Sequence, residues 1–297
     1  MPLLDLAVCP DCRVELSRGP DPWICTACGA SFPRAHEDVR ILVTQYDRHK
    51  QTQATFFDDD VDSEYEIVRP RGTPPFHQWL LREKFRRSIA AVSGELKGAS
   101  VLSICGGSGL DAEFLAHAGA DVLCTDISAG AAKRAAARSS RFRIGFEVAV
   151  ADAEALPFRD CSFDFVYVHD GLHHLERPLR GVAEMARVAT RGVCITEPAQ
   201  AAVTRLSVRL GISTDEEESG NAVKRIDARS VRDVLAAAGF GTQSTSRYLM
   251  YYGHEPGLPA RLLSKSLPKA TAKAAFHAIN LVAGRTGNKL AIQAVRA

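Results

Sequence analysis

The sequence predicts an α/β chain whose body is a doubly wound, mostly parallel sheet, preceded by a small module built on cysteines. Three observations carry that prediction. Apolar runs of strand type alternate with helix-type stretches from residue 99 onward, the first of those runs breaks into a glycine-rich turn, and two Cys-x-x-Cys pairs stand near the N-terminus. Hydrophobic residues make up 46% of the 297 and charged ones 24%, enough apolar surface for a sizeable core. Lys plus Arg is 37 against 35 Asp plus Glu, a formal charge of +2 that gives no whole-molecule reason to invoke nucleic acid.

The opening "MPLLDLAVCPDC" lacks a positive n-region and a long apolar stretch, so it does not read as a secretory signal. No apolar run approaches the ~20 residues of a membrane-spanning helix. The expectation is a soluble, cytoplasmic protein whose eight cysteines are thiols or metal ligands.

The first module is expected over residues 1–44. Cys9 and Cys12 form one knuckle and Cys25 and Cys28 a second, with twelve residues between them. Four thiolates so spaced suit a structural, tetrahedral Zn²⁺, and a segment of this size has too small a core to fold readily without a metal. A redox dithiol is the competing reading, but it needs a strand–turn–helix context that the Pro and Gly flanks do not supply. The continuation "ASFPRAHEDVRILV" resembles the zinc ribbon of the tRNA-methyltransferase-activator type.

Residues 45–98 read as a linker arm with an acid cluster, "DDDVD", ending in an amphipathic helix on which Phe76, Leu80, Leu81, Phe85 and Ile89 share a face. Lys84, Arg86 and Arg87 are assigned to solvent there. From residue 99 the strand-type runs are "SVLSIC", "ADVLCTDI", "FEVAVADA", "FDFVYVHD" and "GVCITEP", joined later by "TQSTSRYLMYYG" and "GNKLAIQAVR". Nearly continuous apolar strands between helices imply a parallel sheet covered on both faces, in a Rossmann-like fold of seven strands. Ligands bind such sheets beyond the carboxyl ends of the strands. Those ends carry Cys105-Gly-Gly-Ser-Gly109, Asp126, Asp152-Ala153, His169-Asp170 and Glu197-Pro198.

Gly107-Ser-Gly109-Leu-Asp-Ala112 satisfies G-x-G-x-x-G/A, and Asp126 follows where a ribose-binding acid belongs, so a dinucleotide oxidoreductase is one candidate. The stretch "ADAEALPFRDCSFDFVYVHDGLHHL", residues 151–175, adds a second signal. With Asp152, Ala153, Leu156, Pro157 and Phe158, then Ser162-Phe163-Asp164, then Leu172-His-His-Leu175, the chain resembles the class I S-adenosylmethionine-dependent methyltransferases of the D-A-x-x-L-P-F and L-H-H-L group.

That resemblance implies a cofactor site. Gly107 and Gly109 would admit the amino acid end of S-adenosylmethionine, and Asp126 would accept both ribose hydroxyls. Asp152 and the Ala153 amide would meet adenine, with Leu156 and Ile127 against the purine and His169 beside the methionine moiety. Ser103 stands where the family usually has an acid, and Asp111 is expected to compensate. His173 is the candidate catalytic residue, with Asp170, Glu197 and His254 as further candidate bases. A substrate lid is expected at about 199–262.

The reading favoured from sequence is methyl transfer to a small biosynthetic acceptor, aromatic or lipid-like. The alternatives are methylation of a ribosomal- or transfer-RNA base, a non-catalytic cofactor-binding partner protein, and the oxidoreductase.

Overall fold

A computed structural model of the chain describes residues 2–19, 21–36, 39–59, 63–199, 226–251, 254–266 and 269–297. The cysteine-rich start forms a three-stranded antiparallel sheet of β1 (Leu16–Ser17), β2 (Trp23–Cys25) and β3 (Ser31–Phe32). Two short strands, β4 (Arg34–His36) and β5 (Val39–Ile41), then leave this sheet for the edge of a much larger one.

The arm after residue 44 is helical. It contains α1 (Arg48–Asp59) and α2 (Ser63–Val68), followed by α3 (Pro75–Ser88). Pro75 suits the first turn of α3, where its missing N–H leaves no helical bond unmade. Next come β6 (Ser100–Ser103), α4 (Leu110–His117), β7 (Asp121–Asp126), α5 (Ala129–Arg141), β8 (Glu147–Val150), β9 (Phe163–His169), α6 (Pro178–Val188) and β10 (Ala189–Pro198). After residue 225 the order is α7 (Ala228–Ala237), β11 (Phe240–Tyr248), α8 (Leu258–Ser266), α9 (Lys269–Ala283) and β12 (Lys289–Arg296). Residues 200–225 and Tyr252, which carry much of the expected lid, lie outside the described residues.

The strand order is β11-β12-β10-β9-β6-β7-β8-β5-β4. The six strands from β10 to β5 run parallel; at one edge β12 is reversed against β10 and β11 is reversed again against β12, and at the other edge β4 is antiparallel to β5. Seven of these strands are the ones read from the sequence. The other two come from residues 34–41, which the sequence reading gave wholly to the cysteine module. Arg40 and Ile41 register against Ala149 and Val150, so that module is stitched into the main sheet.

β9 is buried along nearly its whole length, as a central parallel strand covered on both faces must be. β6 and β9 are neighbours although β7 and β8 lie between them in sequence. Strand order therefore reverses there, and a crevice opens beyond the carboxyl ends. The Ser128 hydroxyl caps α5 by accepting from the Ala131 N–H at 2.8 Å, so only two residues separate the end of β7 from the helix.

Candidate functional site

A cavity of about 710 Å³ occupies that crevice, a size within the usual range for small-molecule sites. Its floor is the turn after β6. Gly107 takes φ +52 there, a conformation that side chains disfavour, and its N–H donates to Asp126 Oδ2 at 2.8 Å. Asp126 Oδ1 accepts the Ser128 N–H at 3.0 Å. Burial pushes the Asp126 carboxyl upward, and the amides of Ser128 and Gly107 pull it back. The turn and the acid at the end of β7 are thus one hydrogen-bonded unit.

Of the residues singled out from the sequence, Gly107, Asp111, Asp126, Ile127, Asp152, Ala153, His169 and His173 all line the cavity. Ser103 and Gly109 are not among the lining residues. Ser103 is buried behind the turn. Gly109 opens α4 at φ +78, and an added Cβ would sit 2.9 Å from the Phe146 ring, so the helix packing demands its glycine. Leu156 is also elsewhere: it is fully buried in the core.

The Leu-Pro-Phe stretch instead receives the cysteine module. The Val8 N–H donates to the Pro157 carbonyl at 2.9 Å, and Arg13 Nη1 donates to the Leu156 carbonyl at 2.8 Å. Within the module, the sulfurs of Cys9, Cys12, Cys25 and Cys28 all lie within 4.8 Å of one another, and Cys9 Sγ is 3.8 Å from Cys28 Sγ. A tetrahedron of ~2.3 Å metal–sulfur bonds has edges of about 3.8 Å. The donor set and its spacing fit one zinc ion.

The arm, expected to cover the acceptor, supplies a wall of the cavity, although none of its side chains was singled out. His49, Lys50, Gln53 and Phe57 of α1 line it, with Arg69 beyond α2. Lys50 Nζ lies 2.8 Å from Asp152 Oδ2, while Asp152 Oδ1 accepts the Glu154 N–H at 2.8 Å. Both oxygens of Asp152 are therefore engaged. Asp58, in the acid cluster, accepts the Ser128 hydroxyl at 2.6 Å and the Gly130 N–H at 2.7 Å, placing its charge at the start of α5.

Lys84 corrects another expectation. It is buried and lines the cavity, 3.9 Å from Asp111 Oδ2, and burial lowers its pKa. The signal was present in the helical period: His77, Leu81, Lys84 and Ser88 fall on one stripe, and all are buried. Charge alone suggested solvent.

The four candidate bases separate by environment. Lys289 Nζ grips both oxygens of Asp170, at 2.7 and 2.6 Å. Burial would raise the Asp170 pKa, but the charge of Lys289 holds it well below the usual carboxylate range. Such a carboxylate is a poor proton acceptor. Glu197 is fully buried, accepting the Gly171 and Leu172 amides at Oε1 (2.9 and 2.7 Å) and facing His173 Nδ1 at Oε2 (2.7 Å). His254 stands at the rim with its Nε2 2.8 Å from Glu66 Oε1. Burial would raise Glu66, yet the His254 hydrogen bond and the Arg69 charge hold it at about 2.

That leaves His173. Nδ1–H donation to the Glu197 carboxylate makes Nε2 the acceptor nitrogen of the neutral ring, the arrangement of a base oriented by an acid.

Asp111 Oδ1 is buried and has no hydrogen-bond partner among the described residues. An acceptor left in that state is satisfied by water or by a donor or cation of a ligand in the cavity.

Comparison with known proteins points the same way. Residues 102–196 match the family model described as a methyltransferase domain. Demethylmenaquinone methyltransferase of Renibacterium salmoninarum is 33% identical over 146 residues, 49% of this chain and 57% of that protein. The protein of the same name from Paenarthrobacter aurescens is 32% identical over 140 residues, 47% of this chain and 51% of the relative. The chain thus spans about half the length of the curated relatives it matches. The crystal structure of magnesium protoporphyrin IX methyltransferase from Synechocystis with bound S-adenosylhomocysteine aligns with a TM-score of 0.55 at 18% identity, over 84% of this chain and all of that one. At that identity the likeness concerns the fold.

Proposed function

We propose that the chain transfers a methyl group from S-adenosylmethionine to a small, lipid-like acceptor, of the class that demethylmenaquinone represents in the relatives' name. The observation that carries this reading is the Gly107–Asp126 unit at the reversal of strand order, together with the unpartnered Asp111 oxygen beside it.

When bound, the cofactor supplies an electrophilic methyl on a sulfonium. The chain's own residues do the rest. In this reading Asp126 accepts the ribose hydroxyls, with its lone pairs already oriented by two amides. Ile127 and Ala153 lie against the base, and an adenine amino group at Asp152 shares Oδ2 with the Lys50 ammonium. Asp111 meets the positive charge of the methionine end, in place of the acid that Ser103 lacks. His169, which burial keeps neutral, adds no competing charge there. His173, held by Glu197, takes the acceptor's proton, and α1 shields the site from water.

Calorimetry with S-adenosylhomocysteine tests the reading. The wild-type chain should bind it, and Asp111→Asn should weaken binding about tenfold, the worth of one charge-assisted hydrogen bond. No heat with the wild type, or a nicotinamide dinucleotide binding in its stead, rejects the proposal.

The cysteine module is assigned one structural zinc ion, held by Cys9, Cys12, Cys25 and Cys28. Elemental analysis of the purified chain should give one zinc per molecule, and Cys25→Ser should lose it. A full-length protein free of metal and equally stable would exclude this role.

A further inference from the structure

Of the ten large apolar side chains most exposed among the described residues, six lie between residues 251 and 282: Tyr251, Leu258, Leu262, Ile279, Leu281 and Val282. Leu281 and Val282 are 89% and 88% exposed and Leu258 is 69% exposed, figures unusual for side chains of this size. They belong to α8, α9 and the strand end before them, and this region also differs from the rest of the chain in charge. Residues 258–285 contain five Lys or Arg, and no Asp or Glu occurs from residue 256 to 297, in a chain whose overall balance is only +2.

The two helices are firmly mounted. Asn280 Oδ1 accepts the Leu249 N–H at 2.8 Å, and the Ser264 hydroxyl accepts the Phe76 N–H at 3.1 Å. Phe276 packs edge-on to Trp79 with ring centroids 5.2 Å apart. Between α3 and α9 runs an apolar groove of about 190 Å³, lined in part by Phe76, Leu80, Phe276 and Ile279. Met250 and Tyr251 line both this groove and the main cavity.

We infer that α8 and α9 form a docking surface for an anionic lipid bilayer, with the groove joining the bilayer to the cavity. Helices that present exposed leucines and a purely basic charge lie in the interfacial plane of membranes carrying negative headgroups. Charge complementarity selects the bilayer over a neutral apolar partner. Met250 and Tyr251 are the side chains shared by groove and cavity, so the groove adjoins the site. The docking rests on the surface alone, whereas its purpose, presenting a lipid-like acceptor, rests on the function proposed above.

The test is co-sedimentation of the full chain with vesicles of phosphatidylcholine containing phosphatidylglycerol, and with phosphatidylcholine alone. Binding should require the anionic lipid and fall steeply as salt is raised. A double variant, Leu281→Asp with Val282→Asp, should bind about tenfold less, since two apolar side chains no longer enter the interface. Its melting temperature and its calorimetric affinity for S-adenosylhomocysteine should match the wild type, because both positions point to solvent.

No binding to anionic vesicles, or a double variant that binds as well as the wild type, overturns the inference. So does a lipid-free dimer abolished by the same two changes, which would assign the face to a second copy, or retention on RNA without retention on vesicles. Vesicle binding by a chain that fails to bind the nucleoside would leave the surface standing and reject the proposed function instead.

Discussion

Replacing Asp126 with alanine should weaken binding of S-adenosylhomocysteine by roughly 10²–10⁴-fold, the value of two charge-assisted hydrogen bonds to the ribose. The carboxylate has a second task, which makes the effect large. It holds the Gly107 amide at 2.8 Å and the Ser128 amide at 3.0 Å, so its removal also releases the turn that floors the cavity. Calorimetry measures the loss, and circular dichroism checks that the sheet persists. His173→Gln provides the contrast. It removes the proposed proton acceptor without touching the ribose site, so the nucleoside should still bind while turnover in the proposed methyl transfer falls by roughly 10²-fold or more. An Asp126→Ala protein with wild-type affinity would show that the ribose is held elsewhere.

Arg138→Met should destabilise the folded chain by roughly 3–5 kcal/mol, the usual cost of breaking a buried ion pair from one side. Arg138 is completely buried in α5. Its Nε donates to the Ser108 carbonyl at 2.8 Å, Nη1 donates to the Arg69 carbonyl and to Glu113 Oε2 at 2.7 Å each, and Nη2 donates to the Glu66 carbonyl. One guanidinium thus ties together the glycine-rich turn, α4 and the end of the arm. Burial lowers its pKa, and Glu113 opposes that shift.

A melting temperature lower by on the order of 10 °C is expected by differential scanning calorimetry, and an unchanged one would contradict the account. Arg138→Lys should restore little, because an ammonium cannot reach four acceptors with a planar fork. The same variant should loosen the arm over the cavity, making α1 more open to proteolysis.

These two residues mark the boundary of what sequence alone carries. The place of Asp126 was legible because it follows from topology: an acid at the end of the second strand, seventeen residues after a glycine turn, reaches the rim of a parallel sheet. The same logic brought Gly107, Asp111, Asp152 and His169 to one rim and the four cysteines to one cluster. Periodicity and spacing are local quantities, and strand ends in such a sheet share a rim by topology.

Arg138 was not legible, nor were Lys84, Lys50 or the strands β4 and β5. Each is defined by what lies across a tertiary gap. In "AAKRAAARSSR" nothing distinguishes Arg138 and the likewise buried Arg134 from the exposed Arg141, because the four acceptors of Arg138 come from residues 25–72 positions away. Lys84 was assigned to water on its charge, although desolvation is tolerated where Asp111 and Asp170 face it. The family resemblance gives Leu156 to the purine, yet the chain turns between Glu154 and Leu156 and presents that leucine to the core. What the sequence settled was the kind of sheet and most of the side chains that meet at its rim. Which side chains of the arm face that rim, and which charges are taken out of water beneath it, depended on contacts between residues far apart in the chain.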